Sequence, residues 1–374
     1  MKIALLLNNL NGGGGERAHV MLANALAHAG HAVELIVVSR TGPCDALIDP
    51  LVTVTDLRAG RAVRALPALV RALRRSQPDL LVSAMVIANV LAALAGYFAR
   101  GIPMIAIEHG DMNEVYHVDR GQLAARVGYL LAPHIYGRFA RIYCVDKSTQ
   151  LTVAAFARRI DLPLTIMPNA VIGPDVDARM QGDADHPWLH GDVPVFLNIG
   201  RMADQKNQSL LLQAFARVVA QRPARLIILG DGPLRADLEA ECKALGLQDC
   251  VDMPGFRDPF PYLAAATCFA LSSRWEALPT VVIEALYCGC PVVVTKASIG
   301  TLELVDYGRF GLIAHSSTPE ALAQAMLAAI ETPVDKDTLR ARGASYRLDN
   351  IARVYEEDFD VVLAEASGAS PCRS

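Results

Sequence analysis

Short apolar runs alternate with amphipathic helical stretches along nearly the whole chain. The alternation lapses once, near the middle, and a glycine-rich turn follows the first apolar run. Together these observations predict an α/β protein made of two doubly wound, parallel-sheet domains. A chain of 374 residues is long enough for two domains with separate cores. Its 52% apolar and 20% charged residues mark a globular protein, not a disordered one.

The first series of expected strands is Ile3–Leu7, Val33–Val38, Leu80–Ser83, Met104–Ile107 and Ile142–Val145. Around Pro168–His190 the pattern gives way to Pro, Gly, Asp and His, which reads as a linker. A second series follows at Val195–Ile199, Leu226–Leu229, Val251–Met253, Cys268–Leu271 and Pro291–Thr295. Asn350–Ala366 has helical spacing through Ile351, Val354, Tyr355, Phe359, Val362 and Leu363. The expected organisation is a first domain over 1–172, a linker over 173–192 and a second domain over 193–348. A closing helix and tail over 349–374 then return toward the first domain. Leu80–Ala99 carries no charge over twenty residues, a length that also suits a membrane span. It contains Ser83, Asn89, Gly96 and Tyr97, and divides more naturally into the strand Leu80–Ser83 and a helix over Asn89–Arg100.

A net charge of −4 is too small to argue for a nucleic-acid partner. Up to His190 there are 18 basic against 16 acidic residues, and beyond it 17 against 23. Six arginines and no acid lie between Arg58 and Arg75. On a helical wheel, Val63, Leu66, Leu69, Val70 and Leu73 share one side of that segment. It reads either as a membrane-surface helix for anionic lipid or as an ordinary helix packed on a sheet, with Pro67 breaking or starting it. The eight cysteines form no CxxC or Cys/His spacing, so neither disulfides nor structural zinc is expected. The start, MKIALLLNNLNGGGG, has too short an apolar run for a signal peptide. These features describe a cytoplasmic protein, with the inner face of the membrane as the alternative location.

Gly12-Gly13-Gly14-Gly15-Glu16-Arg17 follows the first strand and opens a helix. Glycines let the backbone approach a ligand, and a helix N-terminus favours an anion. Gly13-x-Gly15-x-x-Ala18 also fits the dinucleotide fingerprint. The acid expected at the end of the second strand is replaced by Ser39-Arg40, which leaves an NADP-dependent oxidoreductase and a plain tight turn as alternatives.

The second half holds a denser pattern. Gly200-Arg201 ends a strand and Gln205-Lys206-Asn207 leads into a helix, placing two cations where α/β sheets bind ligands. A guanidinium fork and an ammonium together suit a diphosphate. Gly230 and Gly255-Phe256 end the next two strands. Glu276 lies in a loop before Pro279. Glu284 falls inside the following helix, flanked by Val281, Val282, Ile283 and Leu286. A glutamate there is costly to bury without a partner; an exposed helix position is the other reading.

Taken together, GGGGER, EHG, IGRMADQKN, the Glu276–Glu284 spacing and GCPVV resemble family 4 glycosyltransferases of the GT-B fold, over nearly the whole chain. The resemblance implies two Rossmann-like domains facing a central cleft. It implies a retaining hexosyltransferase that moves sugar from a nucleotide-diphosphate sugar, most readily a UDP-sugar, to a glycan or polyprenyl-diphosphate-linked acceptor in bacterial surface-polysaccharide or glycoconjugate assembly. Arg201 and Lys206 would meet the diphosphate, Glu284 the ribose, Glu276 the transferred sugar, and His109 the sugar from the other domain. Gly200, Gly230, Phe256, Leu278, Thr280 and Val281 would complete the donor site, and Gly13, Gly14, Gly15 and Arg17 the acceptor side. Ala277 and Ser298-Ile299-Gly300-Thr301-Leu302-Glu303 depart from the commoner glycine-rich versions, which bears on sugar identity.

Leaving-group charge would be met by Arg201, Lys206 and helix N-termini, so no cofactor and no essential metal are expected. No DxD-like pair is expected at a strand end; Asp183-Ala184-Asp185 has that spacing but lies in the linker. A GT-B-like epimerase or hydrolase and a non-catalytic binding module remain as rivals.

Overall fold

The computed structural model describes residues 1–60, 62–110, 123–157, 161–332 and 335–368. Arg61, the side chain of Val63 and Cys372 lie outside that description. The chain forms two compact units, one of Met1–Val171 with Leu348–Ser374 and the other of Ile172–Arg347. Residues 173–192 fall within the second unit and include the helix Val176–Met180 and the 3-10 turn Pro187–His190.

The first unit is built on a seven-stranded sheet: β1 (Lys2–Leu7), β2 (Ala32–Val37), β3 (Thr53–Asp56), β4 (Leu80–Ala84), β5 (Met104–Glu108), β6 (Arg141–Cys144) and β7 (Leu164–Ile166). Its order is β3-β2-β1-β4-β5-β6-β7 and every pairing is parallel. Side chains alternate across a strand, and β1 fills both faces: Ala4 and Leu6 enter one core, Ile3, Leu5 and Leu7 the other. Burial on both faces explains the continuous apolar runs.

The second unit has six parallel strands: β8 (Val195–Ile199), β9 (Arg225–Leu229), β10 (Val251–Gly255), β11 (Cys268–Leu271), β12 (Val292–Val294) and β13 (Leu312–Ile313). They are ordered β10-β9-β8-β11-β12-β13. Every strand expected from the sequence is present. The three that were not expected, β3, β7 and β13, are all sheet edges with partly exposed residues. An edge strand buries too little to need an apolar run.

Leu80–Ala99 is a strand followed by a helix, and among the described residues no helix is long and apolar enough to cross a membrane. The helix spans Val86–Ala95, starting one turn before Asn89 and stopping short of Arg100. Its end tightens into turns in which Tyr97 N–H bonds Leu94 O and Phe98 N–H bonds Ala95 O. The arginine-rich segment also departs from expectation, because the helix Ala62–Ser76 runs through Pro67. Ala65, Leu69, Ala72 and Leu73 are buried in the core beneath it, and that burial outweighs the lost backbone bond. Its apolar stripe is therefore occupied by the protein itself.

Helix Leu348–Ala366 closes the first unit with Leu348, Ile351, Tyr355, Phe359 and Val362 buried. Phe359 stacks on Tyr143 at 6.5 Å, and Tyr143 OH donates to Asp358 at 2.5 Å. His31 meets Glu356 at 2.7 Å. Val354, whose spacing also suggested burial, is exposed. Phe359→Ala is expected to lower the stability of this unit by about 3–5 kcal/mol, the usual cost of a large aromatic cavity. Val354→Ala should be close to neutral. Urea unfolding of both variants checks the contrast, and equal effects would refute the packing assignment.

Candidate active site

In the second sheet the strand order reverses at β8, where β9 lies on one side and β11 on the other. Such a reversal leaves an opening beyond the carboxyl ends of the two central strands, the usual ligand position in open α/β sheets. The loops after β8 and β11 flank it. Lys206 Nζ meets Glu276 Oε1 at 2.5 Å, and Ser273 Oγ donates to the same oxygen at 2.6 Å. Gln205 Nε2 donates to Trp275 O at 3.2 Å, and Ser272 Oγ to Lys206 O at 2.8 Å. The two loops are thus bound together, with Glu276 buried in a loop as expected.

Backbone contacts between adjacent strand ends explain the glycines. Gly200 N–H bonds Leu229 O at 3.0 Å, and Gly230 N–H bonds Gly255 O at 2.9 Å. Gly230 has φ +123°, and a Cβ there would lie 2.2 Å from Gly200 O. At Gly200 a Cβ would press on the Lys206 stem at 3.2 Å. Phe256 follows Gly255 and is 77% exposed. Arg201 is also exposed, while its carbonyl accepts from Gln208 Nε2 at 3.2 Å. Leu278 lies in the loop leading to the helix Thr280–Tyr287, which opens with Thr280 and Val281 and carries Glu284. Glu284 is 3% exposed, which excludes the solvent-facing reading.

The first sheet reverses at β1, between β2 and β4. The loop after β1 supplies Gly13 as the N-cap of the helix Gly14–His28, with Gly15 and Arg17 in its first turn. The ring of His109, just past β5, lies so close that a Cβ on Gly15 would be 3.2 Å from it. Solvent is excluded from both ring nitrogens of His109. Burial pulls its pKa down to about 4, against the opposing effect of Asn169. His19, one turn after Gly15, is fully buried, and burial followed by the nearby His109 pulls it to about 3. Both imidazoles are therefore neutral at pH 7.

Sequence comparison agrees with this fold. The profile described as Glycosyltransferase Family 4 matches residues 12–172, and that described as Glycosyl transferases group 1 matches residues 193–332. The chain is a family 4 glycosyltransferase. An uncharacterized glycosyltransferase of Methanocaldococcus jannaschii is 39% identical to this glycosyltransferase, over only 36% of either chain. A second relative, from Campylobacter jejuni, is 28% identical over 87% of each chain. It is named GalNAc-alpha-(1->4)-GalNAc-alpha-(1->3)-diNAcBac-PP-undecaprenol alpha-1,4-N-acetyl-D-galactosaminyltransferase. Among solved structures, Anabaena HepE in complex with UDP superposes with a TM-score of 0.78 at 21% identity. That match covers 96% of this chain and 100% of the other. At that identity the likeness concerns the fold, two Rossmann-like α/β units of the GT-B class.

One part of the glycosyltransferase escaped the sequence reading. Glu108, the last residue of β5, is buried, and its Oε1 accepts from Asn89 Nδ2 at 2.6 Å and Tyr136 OH at 2.5 Å. Asn89 in turn accepts from Ser83 Oγ at 2.7 Å. The uncharged stretch that holds Ser83 and Asn89 gave one signal, polar residues in an apolar run; Tyr136 gave none. Burial pushes Glu108 up to about 7, opposed by its bonds from Tyr136 and Asn89. A carboxyl whose folded pKa is raised from 4.5 makes the fold less stable as pH rises through that interval, with no further loss above it. Glu108→Gln keeps an acceptor for both donors and removes the titration. Relative to the parent, its stability is expected to gain roughly 3 kcal/mol between pH 5 and pH 8. Urea unfolding at the two pH values measures this, and a pH-independent difference would refute it.

Proposed function

We propose that the protein is a retaining, metal-independent glycosyltransferase that moves a sugar from a UDP-sugar to a hydroxyl of a glycan or lipid-linked glycan. The observation that carries this reading is the Lys206–Glu276 pair where the order of the second sheet reverses, with Glu284 buried in the adjoining helix. The UDP bound by HepE and the PP-undecaprenol in the Campylobacter relative's name support the donor and acceptor classes.

In this reading Glu284 accepts from ribose hydroxyls, and Phe256 offers an exposed face toward the base. Thr280 and Val281 present backbone N–H groups to phosphate at a helix start. Arg201 and Lys206 stabilise the charge that grows on the departing diphosphate. Lys206 is held by Glu276 in the structure, so donor entry would redistribute its bonds between carboxylate and phosphate. Glu276 would then face the transferred sugar. The first unit's Gly13–Gly15 turn and Arg17 would receive the acceptor, and His109 would act as a neutral hydrogen-bonding group toward the sugar. The acceptor hydroxyl attacks on the leaving-group face and gives its proton to a phosphate oxygen. Among the described residues no carboxylate pair of DxD type ends a strand, and Arg201 and Lys206 would supply the charge a metal would otherwise bring.

Glu284→Gln is expected to weaken donor binding by about 1.5–3 kcal/mol, the worth of a bond to a charged group. Titration calorimetry across UDP-, GDP- and ADP-sugars tests this, and unchanged affinity in a folded variant would remove the ribose assignment. Arg201→Ala and Lys206→Ala should each lower turnover by ~10²–10³. Near-full turnover in either variant would move the diphosphate site elsewhere. Activity should persist in excess EDTA; loss in chelator with rescue by Mn²⁺ would overturn the metal-free mechanism.

A further inference from the structure

Ala277 and the segment opened by Ser298 are the places where the second unit departs from the commoner glycine-rich versions, and one bond joins them. Ser298 Oγ donates to Ala277 O at 2.9 Å. The same Oγ accepts from Thr301 N–H at 2.9 Å, which caps the helix Ile299–Leu304, and lies 2.9 Å from Thr301 Oγ1. A hydroxyl has a single proton to give. With that proton on Ala277 O, Thr301 must donate to Ser298. The bonds therefore run one way, from the fully buried Thr301 through Ser298 to the Ala277 carbonyl, and such chains reinforce one another. Two more bonds fasten the same stretch: Glu276 N–H to Ala297 O at 3.3 Å, and Thr295 Oγ1 to Ser273 O at 2.8 Å. The connection after β12 thus holds the Glu276 loop by its backbone, while Lys206 and Ser273 hold its carboxylate.

We propose that Ser298 is a positioning residue that sets which hydroxyl pattern the transferred sugar must have, by fixing the Ala277–Leu278 peptide; this rests on the donor reading given above. The peptide is trans, so Leu278 N–H points opposite to Ala277 C=O and away from Ser298. Leu278 is half-buried, and its N–H bonds no other group among the described residues. A backbone N–H in such a place calls for an outside acceptor. Pro279 confines Leu278 to extended backbone, and the peptide between them carries no N–H. The direction of this one donor therefore depends on what holds Ala277 O. Two residues away, the Glu276 carboxylate offers an acceptor. A fixed acceptor beside a fixed donor complements a sugar hydroxyl, which both gives and takes a bond. A sugar with that hydroxyl in the wrong configuration leaves a site group unpaired and is disfavoured.

The test separates sugar recognition from nucleotide binding. UDP affinity is measured by calorimetry. Slow donor hydrolysis is followed as UDP release from UDP-glucose, UDP-galactose and their 2-acetamido counterparts. In Ser298→Ala, kcat/KM for the preferred sugar is expected to fall about 5–10-fold, the worth of one hydrogen bond between neutral groups. Preference over the next-best sugar should narrow with it, and UDP affinity should be unchanged. Ser298→Gly, which caps a helix almost as well as serine, should match Ser298→Ala, and Ser298→Thr should keep the parent's preference. Circular dichroism checks that each variant is folded. Parent-like preference in folded Ser298→Ala and Ser298→Gly overturns the assignment, and so does a threonine variant that behaves like alanine. An equal loss of UDP affinity would make Ser298 a residue of the fold alone and overturns it too. A parent that binds no UDP and hydrolyses none of the four sinks the UDP-sugar reading itself, and this assignment with it.

Discussion

Parallel pairing is the constraint on which the rest depends. Every strand pairing within the two sheets is parallel. All the loops leaving carboxyl ends therefore gather along one border of each sheet. Where the strand order reverses, two neighbouring loops diverge to opposite faces and leave room between them. The Gly13–Gly15 turn and the Lys206 and Glu276 loops all occupy such borders because the topology leaves them no other place. Candidate site residues distant in sequence are brought together by strand order alone: Lys206 and Glu276 are 70 residues apart and in contact.

The two borders differ electrostatically. That of the second unit presents an ion pair, Lys206 against Glu276, beside an exposed Arg201. That of the first unit suppresses them: His19 and His109 are held neutral by burial, and Glu108 is shifted toward its protonated form. Burial without a counter-ion disfavours the charged form of either type of group. A carbohydrate hydroxyl is uncharged, and a polar but neutral surface suits it; a diphosphate requires the opposite. Under the proposed function, the chain would meet two chemically different partners with two different dielectric settings on one architecture.

Interior strands could be read from the sequence because burial on both faces leaves a continuous apolar signature, as in Leu80–Ala84. Three of the four edge strands, Thr53–Asp56 among them, could not, since one side of the ladder faces water and tolerates Thr and Asp. Glu284 announced itself by its apolar neighbours. Spacing brought out Glu276 but not its bond to Lys206, because tertiary pairing has no local signal. The Ser83–Asn89–Glu108–Tyr136 network was hidden for the same reason, its members coming from four separate elements. Pro67 misled in the other direction: a local penalty looked decisive, and packing of Leu69 and Leu73 overrode it.

The closing helix carries a consequence for biosynthesis. Leu348–Ala366 supplies Tyr355, Phe359 and Val362 to a core whose other members, among them Ile3, Leu5 and Tyr143, are made first. A ribosome delivers the chain from the amino end, so the first unit is translated early yet lacks one wall of its core until the last helix emerges. The second unit, continuous in sequence from Ile172 to Arg347, has its full complement sooner. Vectorial synthesis thereby inverts the expected order, in which the amino-terminal domain matures first. The nascent first unit must meanwhile keep Tyr143 and the core residues around it from aggregating.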